Sequence, residues 1–148
     1  MKKLFLTIAA ISAIVFSSCT KNSDNEQSWE DKLNGTWALV AMGWYENDCE
    51  YTKTAEVLIV FNSNTVSAYY NDSEKDCKYQ DGYIIGGSMS DFVSEETVAY
   101  SIQDNFLCID GMKICNIKLE DEVLILYNNK GDAEVDFYDK FQRIKGFK

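Results

Sequence analysis

Five cysteines, twenty-four carboxylates, fourteen bases and no histidine make up the reactive inventory of this 148-residue chain. Without imidazole there is no Ser-His-Asp or Cys-His triad and no histidine metal ligand, so the commonest general base at neutral pH is missing. Asp48 with Glu50, or Glu95 with Glu96, could serve as an acid/base pair. Neighbouring acids on loops are usually solvated, however, and nothing in the spacing fixes two carboxylates across a cleft. Asn71, Asp72, Glu74 and Asp76 offer oxygen ligands but lack the spacing of a calcium loop. No CxxC pair accompanies the cysteines, which argues against zinc. The inventory therefore predicts a protein that is not an enzyme and holds no metal or cofactor. A net charge of −10 with dispersed lysines also makes nucleic acid an unsuitable partner.

Cys19 has a different chemistry open to it. Lys2 and Lys3 precede a thirteen-residue apolar run, Leu4 to Phe16, and Ser17-Ser18 leads into the cysteine. This layout is a secretory signal, too short to span a bilayer comfortably. Phe16-Ser17-Ser18-Cys19 resembles the bacterial lipobox, which implies that Cys19 becomes the lipid-bearing, palmitate-carrying first residue of the mature protein. Cleavage of an ordinary signal peptide near Ser18 is the alternative. Thr20 to Ser28 is wholly polar and reads as a flexible linker reaching at most about 30 Å. Its acids resemble the export signals of surface lipoproteins in Bacteroides-like bacteria. The expected plan is a signal peptide over 1–18, a linker over 19–28 and one domain over 29–148. Removing the signal takes two lysines and no acid, leaving twelve bases against twenty-four acids, or −12. The expected address is the bacterial cell envelope, at the outer membrane, with the lipid as the membrane contact.

Whatever the domain does must be positioned by strands. Thr36–Trp44, Val57–Phe61, Thr65–Tyr70, Val98–Ile102, Phe106–Ile109, Ile114–Leu119, Val123–Tyr127 and Val135–Ile144 are eight segments rich in valine, isoleucine and aromatics, separated by turn formers. Val98, Tyr100 and Ile102 share one face, as do Cys115, Ile117 and Leu119, which is the alternation of a half-buried antiparallel sheet. Val57–Phe61 and Val123–Tyr127 are apolar on both faces, so their outer side needs a cover, for which the short helix expected at Trp29–Leu33 is the candidate. Eight strands in order suit either a sandwich or an up-and-down barrel, whose interior holds side chains or one small ligand.

Leu33-Asn34-Gly35-Thr36-Trp37 resembles the Gly-x-Trp opening of lipocalins. Ile59-Val60-Phe61 with Asn64-Thr65-Val66, Tyr100 to Leu107, and Leu119 to Leu124 are similar to the small lipocalin-like domain lipoproteins of Bacteroides-type bacteria. The resemblance covers about Leu33 to Ile144. It implies an all-β, eight-stranded antiparallel up-and-down barrel with a long loop insertion between strands three and four. In such a meander the last strand ends where the first begins, so Arg143, the single arginine, should lie near Trp37. Lipocalins close the barrel base in this way, which makes Gly35, Trp37 and Arg143 the expected barrel-closing residues. A surface arginine beside an ordinary core tryptophan is the alternative.

Parity also puts the connections Tyr45–Ala55, Asn71–Glu96, Asp110–Met112 and Asn128–Ala133 at the end away from Trp37. Asn71–Glu96 is long enough to act as a lid or mouth, with an extra strand or hairpin at Tyr79–Ile85. Trp44, Tyr45, Tyr69, Tyr70, Tyr83, Met89 and Phe92 fall at this end and are the candidate ligand-binding residues. The cysteines left after Cys19 are an even set in an oxidising compartment: Cys49–Cys77 would pin two loops, and Cys108–Cys115 would flank a turn. The second pair faces directly across the strands if Gly111-Met112 is the two-residue loop, and diagonally if Asp110-Gly111 is. Buried free thiols are the alternative. Two functions follow. The resemblance implies a tethered carrier of a small, partly apolar molecule. A filled barrel acting as a protein- or glycan-interaction module is the competing reading.

Overall fold

The computed structural model describes residues 27–128 and 137–148. The expected signal peptide, Cys19, most of the expected linker, and residues 129–136, which include the start of the expected last strand, lie outside them.

A short helix, α1 (Trp29–Leu33), opens the domain. Ser28 caps it by accepting from the Asp31 N–H at 3.2 Å, and Glu30 and Asp31 sit favourably in its first turn. The strands follow as β1 (Gly35–Gly43), β2 (Glu50–Tyr51), β3 (Val57–Asn62), β4 (Thr65–Asn71), β5 (Lys78–Gln80), β6 (Tyr83–Ile85), β7 (Phe92–Gln103), β8 (Phe106–Ile109), β9 (Met112–Glu120), β10 (Val123–Tyr127), β11 (Tyr138–Arg143) and β12 (Gly146–Phe147). Eight of them form a closed antiparallel barrel in the order β1, β3, β4, β7, β8, β9, β10, β11, with β11 returning to β1. The all-β barrel expected from the sequence is therefore present.

Tight turns set the strand registers. Asp104 and Asn105 both have positive φ, at 51° and 63°, as do Asp110 and Gly111, at 52° and 78°. That is the geometry of two-residue hairpin turns matched to the twist of the strands. Inward residues pack into one core: Trp37 and Leu39 of β1, Phe61, Val66, Tyr100, Leu107, Cys115, Ile117, Leu124, Leu126 and Phe141, with Leu33 of α1 beneath them. The Tyr100 hydroxyl donates to the Ser63 carbonyl at 2.9 Å, and the Phe61 ring meets Tyr100 edge-on at 5.1 Å. The polar tip of the tyrosine is thus satisfied at the barrel's lower rim while its ring fills the core.

The insertion between the third and fourth barrel strands departs from expectation. It does form the expected hairpin, β5–β6, followed by a 3-10 turn at Met89–Asp91. It does not serve as a lid. It packs on the outside of the barrel, where Cys77, Ile84 and Phe92 bury Ala38 and Leu58 in a second core, with Tyr69, Tyr79, Met89, Ile144 and Phe147 around them. The chain end completes this layer, because β12 pairs in parallel with β6, Gly146 with Tyr83 and Phe147 with Ile84. The cause is visible in β3, whose outward face is as apolar as its inward one. An uncovered Leu58 would expose a large apolar surface, and α1 cannot cover it because α1 sits under the base. On β10 the outward Ile125 is only 2% exposed. It lies in register between Lys118 and Lys140, whose methylene stems are long enough to shield it.

The seventh element also begins earlier than its sequence pattern indicates, at Phe92 rather than Val98. Opposite Ala68 the register jumps from Ser67–Thr97 to Tyr69–Ser94, so the Glu95-Glu96 pair forms a bulge that breaks the alternation.

The cysteines are not bonded to one another. Cys49, Cys77, Cys108 and Cys115 are free thiols, contrary to the expected pairs. The turn after β8 is Asp110-Gly111, and a bulge beyond it pairs Leu107 with Cys115 and Cys108 with Lys113. Cys115 therefore faces the barrel core while Cys108 joins the outward row with Ser101, on the other side of the wall. Cys49 lies against the carbonyls of Tyr45 and Tyr138, whereas Cys77 is part of the outer core.

Candidate functional site

The two barrel ends differ in how fully their polar and apolar groups are matched. At the base the Trp37 ring is wholly buried and its Nε1–H donates to the Leu33 carbonyl at 2.8 Å. The Arg143 guanidinium lies over that ring at 4.2 Å, donates Nη1–H to Asn34 O at 2.7 Å and Nη2–H to Lys32 O, and pairs through Nε with Glu122 at 2.8 Å. Gly35 is required here: its φ is +136°, and a Cβ would come within 2.9 Å of the Arg143 Nη1. Gly35, Trp37 and Arg143 thus form one plug that ties the start of β1 to the end of β11.

The other end is open. On the β1/β11 side a cavity of about 390 Å³ is lined by Met42, Gly43, Trp44, Asp48, Glu50, Phe137 and Asp139. A second, of about 400 Å³, opens between β3, β4, β7 and β8 and is lined by Ile59, Val66, Ala68, Tyr70, Glu96, Val98, Leu107 and Ile109. Its lining side chains are the inward residues of their strands, so it reaches from the rim towards the core. These volumes suit a small molecule.

The candidate ligand residues divide between three places. Trp44 and Tyr70 line the mouth cavities, and Tyr45 is exposed beside Trp44 with its N–H donated to Asp48 at 2.6 Å. Tyr69, Met89 and Phe92 belong to the outer core, and the Phe92 ring meets Phe147 at 6.0 Å. Tyr83 lies under the chain end, with the Lys148 ammonium 3.5 Å from its ring centre. The reason is the path of the insertion: once it turns outwards over Leu58, every aromatic it carries goes with it.

Asp139 and Met42 were missed by sequence reasoning. A signal for Asp139 exists, since it shares the inward phase of β11 with Phe141 and Arg143. In register Asp139 lies between Met42 and Leu126, and among the described residues no hydrogen-bond donor or cation faces it. Burial pushes its carboxyl above the usual aspartate range. Burial also raises the thiols of Cys49 and Cys77, and that of Cys115 to about 12, so none is a ready thiolate nucleophile. In the insertion, Asn71 turns its amide inwards, donating to Lys75 O at 3.0 Å and accepting from Ser73 N–H at 3.0 Å, which closes an Asx-type turn. No group of three or more metal-ligating side chains occurs among the described residues. Compared with protein-family models and with curated proteins, the chain matches no family model and no curated protein.

Proposed function

We propose that this protein is a lipid-anchored envelope lipoprotein whose barrel mouth takes up a small, partly apolar molecule without transforming it. One observation carries the reading: the barrel is packed solid at its base and hollow at its rim, where the second cavity is walled by seven uncharged inward side chains and a single carboxylate. Proteins held only for their stability gain nothing from such a void, because unfilled core space is destabilising. The raised cysteine thiols and the missing histidine agree with binding rather than catalysis.

The test is titration with the neutral fluorescent probe N-phenyl-1-naphthylamine. Saturable binding at one probe per barrel, abolished in Ala68→Trp with the fold retained by circular dichroism, is expected. A wild-type protein that leaves the probe unbound would refute the carrier. Cys19→Ala should release the protein from membranes, and its continued retention would remove the anchor from the reading.

A second reading rests on a separate observation. The large exposed apolar side chains of the described residues, Met42, Trp44, Tyr45, Tyr51, Tyr70, Val93, Met112 and Ile114, all lie at the mouth end. Such a rim suits a protein or glycan surface as well as a ligand's path inwards. Retention of a partner by the Ala68→Trp variant would favour this module.

A further inference from the structure

The charge of the mouth narrows the ligand class, on the premise that the mouth binds a small molecule at all. Three carboxylates, Asp48, Glu50 and Asp139, line the first cavity together with the Trp44 indole, Met42 and Phe137, and among the described residues no lysine or arginine lines it. Among the described residues, Glu96 is the only charged one lining the second cavity. Two lysines lie near the mouth without lining the first cavity. The Lys140 ammonium lies over the outward rings of Tyr138 and Tyr51, at 5.5 Å and 5.9 Å. Lys53 lines a third depression along the rim, together with Glu50 and Glu56.

The carboxylates are not equivalent. Asp48 is held by the Tyr45 N–H and closes a turn. Asp139 sits deeper, flanked in register by Met42 and Leu126, without a donor among the described residues to stabilise its charge. An anionic group in that position repels an anionic ligand and gains from a cationic one that brings its own counter-charge into a site of reduced polarity. An exposed indole beside it presents the face to which ammonium and guanidinium groups are attracted. A metal ion would want several oxygens converging at once, which these residues do not supply. A long basic peptide would need a groove, whereas each cavity holds about 400 Å³ or less.

We infer that the mouth selects a small amphipathic organic cation, its ammonium or guanidinium head placed between Asp139, Glu50 and the Trp44 ring and its apolar body against Met42 and Phe137. The head group is thereby paired with Asp139, which among the described residues faces no cation. Selectivity comes from charge sign, and affinity from the apolar walls.

The experiment compares three probes of one chain length, octylammonium, octanol and octanoate, by isothermal titration calorimetry on the full mature chain at pH 7.5, below their micelle concentrations. Octylammonium should bind at least tenfold tighter than octanol, and octanoate weaker than octanol. The preference for octylammonium should shrink as salt is raised. In Asp139→Asn, which keeps the side-chain shape, octylammonium should fall to the affinity of octanol. Equal binding of octanol and octylammonium, or an Asp139→Asn variant with its preference intact, would overturn cation selection while leaving the carrier standing. Failure of all three probes to bind would overturn both.

Discussion

The base and the mouth of this barrel are built from the same residue types used in opposite ways. At the base an indole, a guanidinium, three backbone carbonyls and a glutamate satisfy one another, and a glycine is kept bare so that they fit. At the mouth an indole, a methionine and three carboxylates stand around a space with no cation among the described residues that line it. Charge and aromatic surface left unmatched are costs to the folded chain, and their concentration at one end is what supports the proposal that the mouth is the binding end.

Truncating the plug should have the largest effect. Trp37→Ala removes a fully buried indole and the platform beneath Arg143. It should cost about 3–5 kcal/mol in urea unfolding; a cost under 1 kcal/mol would erase the contrast between the ends. Phe92→Ala tests the outer layer. With its ring buried beside Phe147, a loss of about 3 kcal/mol is expected. A negligible loss would mean that the insertion is a loose cover after all. Gly35→Ala should destabilise by about 2 kcal/mol, because the backbone is in a region that L-residues disfavour and the new methyl meets Arg143.

At the mouth, Trp44→Ala should change stability by less than about 0.5 kcal/mol, since the ring is 63% exposed. It should still weaken binding of an alkylammonium.

Asp139→Asn gives the smallest stability change and carries a pH signature. Burial raises the Asp139 carboxyl in the folded state, so the folded chain holds that proton more tightly than the unfolded one. Stability from this group is present at acid pH and is lost as pH rises through the raised value. The groups that act electrostatically with Asp139 or share its cavity, Asp48, Glu50, Cys49 and Cys115, add no positive charge to offset this. The asparagine variant should therefore melt about 1–2 °C higher than wild type at pH 7, with the gain vanishing near pH 3, by differential scanning calorimetry. A lower melting temperature at pH 7 would show that the carboxylate is paired and that the mouth resembles the base.

Much of the architecture was readable from local pattern. Alternation along β9 and the Asp104-Asn105 and Asp110-Gly111 turns each express a short-range rule, and parity then follows from the strand count. The insertion's hairpin was readable, but where it docks was not. Cys77, Ile84, Met89 and Phe92 would be spaced in the same way whether they plugged a mouth or docked on a wall. The cue was in β3, whose outward Leu58 needs a partner that periodicity cannot name. Cys108 and Cys115 show the same limit at smaller scale. Their separation suits a bond, but one bulged residue puts them on opposite faces, and a bulge leaves little trace in composition.

The sequence alone determined what depends on neighbours along the chain: strand and turn positions, the end at which long connections gather, the acidity of the domain, and the absence of imidazole chemistry. Tertiary structure decided what depends on which surfaces meet. It sent the insertion outwards over Leu58, separated Cys108 from Cys115 across the barrel wall, and left Asp139 in the mouth with no counter-charge among the described residues. Burial energy rewards covering apolar area without specifying from which part of the chain the cover comes, and that choice is made only when the whole barrel has closed.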